Sequence, residues 1–294
     1  MSLEAAAVRD ARSGSMTRRG ARTQSGSRHR LSLVLWLGVA AFYVIAAALP
    51  SVLAPGDPLA VNPADAFSAP SPAHPFGTDE SGRGVYTRVV HGAASSLTIG
   101  ALATAIGLLL GAVFGLAAGL GPKWLDFGTT RIVEVFFAFP GILLALLLIV
   151  LAGPGVVTTT IAVGLSTAPG YARLIRSQVL RVRASGYVEA DLVLGRSRWH
   201  TFARTLVPNV AWPLFSLATL GLGQAIVWAA ALSYLGLGEP PPSPEWGSML
   251  SAGRLYLPTG SWWLTIFPGT AIVGAAVTAT LLGRIMQQRT RQAS

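Results

Sequence analysis

The chain of 294 residues contains no cysteine. That excludes disulfides, thiolate nucleophiles and Cys-ligated metals. Charge is also scarce: Asp, Glu, Lys and Arg make up 12% of the residues, against about 25% in soluble domains. Lys123 is the single lysine, and Trp124 follows it. A P-loop needs Lys followed by Ser or Thr after a Gly-rich loop, so this chain is not an ATPase of that type. His29, His74, His91 and His200 lie far apart in sequence. His74 and His91 could meet on one side of a membrane, but no metal site is expected from them. No pair of carboxylates recurs at catalytic spacing, so no catalytic, cofactor-binding or metal-binding residues are assigned and no cofactor is expected. The long apolar runs hold no ionisable group at their centres, where proton- or sodium-coupled transporters usually keep them. If this chain performs work, the energy enters through a partner.

What remains is apolar and basic. Hydrophobic residues are 52% of the chain and the net charge is +10, a composition that points to a membrane. Residues 1–30 are rich in Arg, Ser and Gly and read as a disordered basic tail. Residues 31–49 carry no charge; at 1.5 Å per residue they give roughly 29 Å, about one hydrocarbon core. A signal peptide cut after Ala46-Ala47-Ala48 is the rival reading, with an apolar stretch longer than the usual ~7–15 residues. Residues 50–92 are Pro-rich and read as an external loop. Five further apolar segments follow at 93–120, 132–151, 156–170, 210–236 and 264–283, with a bend at Phe139-Pro140-Gly141 and an end near Pro169-Gly170. Residues 123–131 read as a short inside loop and 284–294 as a C-terminal tail. With both termini in the cytoplasm, every basic residue except Arg83, Arg88 and Arg254 falls inside, as the positive-inside rule requires. A fold of six membrane helices, all-α, is expected.

Two stretches carry local structure. Gly107, Gly111, Gly115 and Gly119 recur every four residues, which places them on one helix face and lets another helix come close. Residues 185–209 form the longest charged helix-like segment of the second half. Ser185 is placed to cap a first short helix, Glu189 suits its positive end, and Gly195 is a left-handed stop. Ser197 is placed to cap a second helix, on which Trp199, Phe202 and Leu206 share a face. Pro208 is expected to turn the chain out of that helix. Two short polar helices between apolar spans read as a docking surface.

That stretch resembles the EAA loop of ABC-importer permeases: Glu189-Ala190-Asp191, then Gly195, then Leu206-Val207-Pro208. Asp191 stands where the family has its second Ala. Two further segments resemble the C-type permeases of dipeptide, oligopeptide and nickel importers. They are His74-Pro75-Phe76-Gly77-Thr78-Asp79-Glu80-Ser81-Gly82-Arg83 and the run Leu232–Leu250 around Pro240-Pro241-Pro242 and Trp246-Gly247. The resemblance implies a type I ABC-importer permease fold in the bacterial inner membrane, its coupling helices reaching a separate ATPase through Tyr187, Glu189, Ala190, Asp191, Gly195, Arg196 and Pro208. It also implies that Phe76, Gly77, Thr78, Asp79, Gly82 and Arg83 form an external motif that contacts the partner permease or the binding protein; a capped amphipathic surface helix is the plainer reading. The partners implied are a second, homologous permease making a heterodimer, two ATPase subunits, an extracellular solute-binding protein and membrane lipid, with no nucleic acid. Peptides are the cargo expected, with nickel complexes, glutathione and other small solutes as alternatives. A self-contained secondary transporter and a membrane scaffold with a basic tail are the competing classes.

Overall fold

The computed structural model describes residues 32–293; the expected tail at 1–30 lies outside them, as do the side chains of Tyr187, Arg198, Arg289 and Arg291. Among the described residues the chain is helical, and its only β pairing is an isolated bridge between Thr78 and Gly84. In chain order the helices are α1 (Ser32–Ala48), α2 (Pro50–Leu53), α3 (Val85–Leu120), α4 (Lys123–Phe137), α5 (Gly141–Ala152), α6 (Val156–Arg183), α7 (Gly186–Val193), α8 (Arg198–His200), α9 (Val207–Tyr234), α10 (Trp246–Gly253) and α11 (Trp263–Ala293). A π-helical turn, Thr201–Leu206, joins α8 to α9.

By length and composition, α3, the helix running from Thr201 through α9, and α11 can each cross a membrane; α4 and α5 make a fourth span if the bent pair is counted as one. The six expected spans correspond to α1, α3, α4–α5, α6, α9 and α11. Two of them are weaker as isolated segments. α1 is short, and α6 contains Thr158, Thr159, Thr160, Ser166, Thr167 and Arg173. Their apolar outer surfaces, such as Leu109, Val113, Leu151, Val157 and Val273, stay exposed. This is the inverse of a soluble fold and suits lipid or a partner chain.

The bundle is centred on α3 against α6. Gly107, Gly111, Gly115 and Gly119 are all buried on this seam. A Cβ on Gly115 would lie 2.7 Å from the Ala172 carbonyl oxygen and 2.8 Å from Ile175 Cβ; one on Gly119 would meet Val179. The two backbones therefore approach as closely as the missing side chains allow. A second layer, Ala103, Ala145, Ile149, Val163, Ala225 and Leu232, joins α3, α5, α6 and α9. At one end, Trp246 sits among Ala46, Val90, Ala93, Ile226 and Ile272 and donates from Nε1 to the Val89 carbonyl at 2.7 Å.

Three expected boundaries are corrected. Residues 123–131 are not a loop: they begin α4, and Asp126 on it receives both Arg176 Nε (2.6 Å) and Nη2 (2.8 Å) from α6. α6 does not end at Pro169-Gly170 but runs on to Arg183, with Pro169 buried inside it. A proline deletes one N–H and crowds one turn, and the packing of α6 along the glycine seam outweighs that local loss. Finally, 284–293 is not a tail but the last turns of α11. The expected bend is present: α4 and α5 meet at 85° across Ala138–Pro140.

Candidate functional site

The segment 185–209 folds into α7, a short turn, and α8 continued by the π turn. Gly195 has φ +67, a conformation that costs a Cβ-bearing residue more than glycine. It lets the chain double back, so that the Arg196 N–H bonds to the Asp191 carbonyl at 3.0 Å. Ser197 Oγ accepts from the His200 N–H at 3.2 Å and so caps α8. Ser185 does not cap α7 through its side chain. Its hydroxyl donates backwards to the Val182 carbonyl at 2.6 Å, and its own carbonyl accepts from the Val188 and Glu189 N–H groups. Pro208 does not turn the chain away either. It sits at the start of α9, immediately after the π turn, and the helix runs through. The wider turn relieves the crowding a proline ring imposes, and Asn209 Nδ2 donates to the Thr205 carbonyl at 2.6 Å.

Asp191 holds this element together. Its carboxylate is buried, accepts from Arg196 Nη1 at 2.8 Å and from the Thr205 hydroxyl at 2.5 Å, and so ties α7 to the π turn. The Thr205 hydrogen bond first, and the Arg196 charge after it, hold its carboxyl below the ordinary carboxylate range. A depressed pKa stabilises the fold above the unfolded value and loses that contribution as pH falls through the folded one. The protection of amides 186–206 against hydrogen exchange, corrected for the intrinsic pH dependence of the exchange chemistry, is therefore expected to be flat from neutrality downward and to fall only below roughly pH 4. In Asp191→Asn the acid-induced step should vanish; a step that survives the substitution would remove Asp191 as its cause.

The same element presents apolar side chains outward. Val193 is 83% exposed, Leu194 68% and Trp199 73%; Glu189, Ala190 and Arg196 are exposed beside them. Trp199 and Phe202 rings lie 5.4 Å apart. The expected three-residue face thus divides. Trp199 projects away, whereas Leu206 packs with Tyr171, Ile175, Val179 and Val210, with Phe202 against the edge of that group. Arg183 Nη1 reaches back to the Gly119 carbonyl at 2.5 Å. A force on α7 and α8 therefore meets α6 and α9 without an intervening flexible linker.

The segment 74–84 lies at the other end of the bundle and is not a surface helix. Phe76 stacks on Phe267 with ring centroids 3.9 Å apart. Trp263 Nε1 donates to the Thr78 carbonyl at 3.0 Å, and the Thr78 hydroxyl donates to the Asp65 carbonyl. Asp79 Oδ1 accepts from the Ser81 and Arg83 N–H groups at 2.9 Å each, and Arg83 and Arg88 both stand 3.5 Å from its Oδ2. Gly77 and Gly82, both at φ +73, press against the Ser68 and Asn62 carbonyls. Most of the motif is committed to its own chain, and Glu80 remains exposed.

Sequence reasoning missed Glu245. It is buried and caps α10, accepting from the Gly247 and Ser248 N–H groups at 2.8 Å each, from Ser96 Oγ at 3.1 Å and from the Ser233 hydroxyl. One carboxylate thereby links α3, α9 and α10. The only sequence signal was Glu directly before Trp246-Gly247, and Glu is not among the favoured N-cap types. Also missed was a cavity of ≈ 510 Å³ in the elbow between α4 and α5, walled by α6 and α9.

Residues 90–292 match the family described as binding-protein-dependent transport system inner membrane component. The dipeptide transport system permease protein DppC of Alkalihalophilus pseudofirmus is 35% identical over 256 residues, 87% of this chain and 84% of that protein. The glutathione transport system permease protein GsiD of Pectobacterium atrosepticum is 36% identical over 73% of this chain and 71% of its own length. Among solved structures, a chain of the inward-facing MetNI methionine ABC transporter aligns with TM-score 0.54 at 19% identity, covering 70% of this chain and 96% of that one. At that identity the likeness establishes a common fold.

Proposed function

Because this chain belongs to the family of binding-protein-dependent transport system inner membrane components, we propose that it is a permease subunit of an ATP-driven peptide importer, without catalytic activity of its own. It forms one half of the translocation path; a related permease forms the other, and an external binding protein delivers the cargo. Two ATPase subunits close on ATP and draw the α7–α8 elements together. α6 and α9, to which those elements are joined, then tilt the membrane helices from inward- to outward-facing. Both chain ends lie in the cytoplasm in this arrangement, and Lys123, Arg131 and the Arg residues around α7 share that side. The 74–84 segment, at the opposite end and buried at Gly77, Thr78, Asp79 and Gly82, acts mainly as an internal brace. Glu80, exposed and 3.8 Å from Arg83, is its contact toward a partner.

One observation carries the coupling role: Val193, Leu194 and Trp199 are exposed on an element that Asp191 and Gly195 lock in place. Exposing three large apolar side chains is unfavourable unless another protein covers them. Dipeptides and oligopeptides are the cargo class, and glutathione, itself a peptide, is the specific alternative supported by a relative of similar identity. The test is uptake of labelled Ala-Phe into vesicles holding the assembled complex. ATP-dependent accumulation that glutathione does not compete is expected; accumulation of glutathione with no Ala-Phe uptake would replace the cargo.

A further inference from the structure

Gln224 is the strongly polar side chain in the middle of α9, where the other polar residues are hydroxyl-bearing, and it is exposed. Its amide makes no hydrogen bond among the described residues. An amide left without a partner in hydrocarbon costs several kcal/mol by transfer measurements, so a membrane helix does not aim one at lipid without cause. Two cavities lie on either side of it. The elbow cavity of ≈ 510 Å³ is bordered by Phe137, Phe139, Tyr171, Gln224 and Trp228. A second, of ≈ 460 Å³ between α9 and α11, is bordered by Leu220, Gln224, Trp228 and Thr280, with Arg284 at one end. Gln224 and Trp228, one helical turn apart, are the ridge common to both. Each volume falls within the range of small-molecule sites, roughly 300–1,000 Å³.

Resting on the importer reading above, we propose that Gln224 contacts the cargo in transit and that the ridge it forms with Trp228 selects peptides by their backbone amides and apolar side chains rather than by charge. A Gln side chain carries one carbonyl acceptor and an NH₂ donor, the same pair of groups a peptide bond displays. The aromatic walls accept apolar or aromatic residues. No Asp, Glu, Lys or Arg borders the elbow cavity; Arg173 stands behind the wall, its guanidinium 4.0 Å from the Phe137 ring centroid, so no charged group meets a side chain of the cargo directly there. Gly141 keeps the elbow open, since a Cβ there would run into the Trp228 ring.

The absence of native cysteine makes the test direct. In the assembled complex, a Gln224→Cys variant is alkylated with a small water-soluble maleimide, and label on this chain is followed with and without saturating Ala-Phe. Severalfold protection by Ala-Phe is expected. Gln224→Leu should raise the KM for Ala-Phe uptake by about tenfold, as for one lost hydrogen bond. Gln224→Glu should skew an even-handed profile, favouring Ala-Lys over Ala-Asp. A cysteine at this position that never reacts, or three variants that fail to assemble, would assign the site to the interface with the second permease and overturn the proposal. So would reaction without protection together with unchanged KM and profile. If wild type takes up Ala-Phe while the variants behave like it, only the role of Gln224 fails; if wild type takes up no peptide, the importer reading fails first.

Discussion

Replacing Val193 and Leu194 together by Asp is expected to leave the chain inserted and assembled with its sister permease while ATP-driven uptake falls below detection. The two side chains are 83% and 68% exposed, so the substitutions leave no cavity and bury no charge in the isolated chain. Their effect must come from what covers them. Fully covering a Val or Leu side chain contributes about 1.5–3 kcal/mol, and a carboxylate placed there adds a desolvation cost. Stimulation of the ATPase by the permeases should be lost in parallel. The same logic gives Gly195→Trp and Glu189→Lys as uncoupling variants, the first by straining a backbone at φ +67, the second by reversing charge on the exposed face. Wild-type uptake by the double Asp variant would show that this surface is not where the ATPase holds the chain.

A second large effect is expected at the glycine seam. Gly115→Leu places a branched side chain where the first added carbon already meets the Ala172 carbonyl and Ile175. One surplus methylene in a packed core typically costs about 1–3 kcal/mol, and here the obstruction is backbone, which cannot swing aside. The variant should fail to accumulate as a monodisperse species in detergent. Gly128→Leu, on α4 with open space around it, should behave as wild type in the same size-exclusion and thermal-melt measurements. Equal behaviour of the two variants would mean that α3 and α6 are not packed through this face.

The sequence made the seam legible because a four-residue glycine spacing has one geometrical consequence on a helix. Gly195 and Ser197 were legible for a similar reason: left-handed backbone and helix capping are decided within a few residues. The bend at Pro140 was legible, yet Pro169 and Pro208 were not, although all three are prolines in apolar surroundings. At Pro140 the neighbours are Phe139 and Gly141, and the break opens onto a cavity walled by α6 and α9 instead of packing closed. At Pro169 the seam with α3 holds the helix on course, and at Pro208 a π turn absorbs the missing N–H. Both remedies depend on residues elsewhere in the chain or on a hydrogen-bond register that spacing does not reveal. Asp191 shows the same limit. In the sequence it was visible only as a departure from the family's second Ala, whereas its carboxylate accepts from Thr205, fourteen positions away. The 74–84 segment resembled an external contact site, and its polar groups turn inward because Trp263 and Asp65 are there to receive them.

The account rests on a subunit that is moved by another protein's hydrolysis of ATP. Vesicles containing this chain and its sister permease, with and without the ATPase, should be loaded with binding protein and labelled Ala-Phe and scored for accumulation above the external concentration. Accumulation only when ATPase and ATP are both present is the expected result. Uphill accumulation by the permeases alone, driven by an ion gradient or by nothing added, would contradict it.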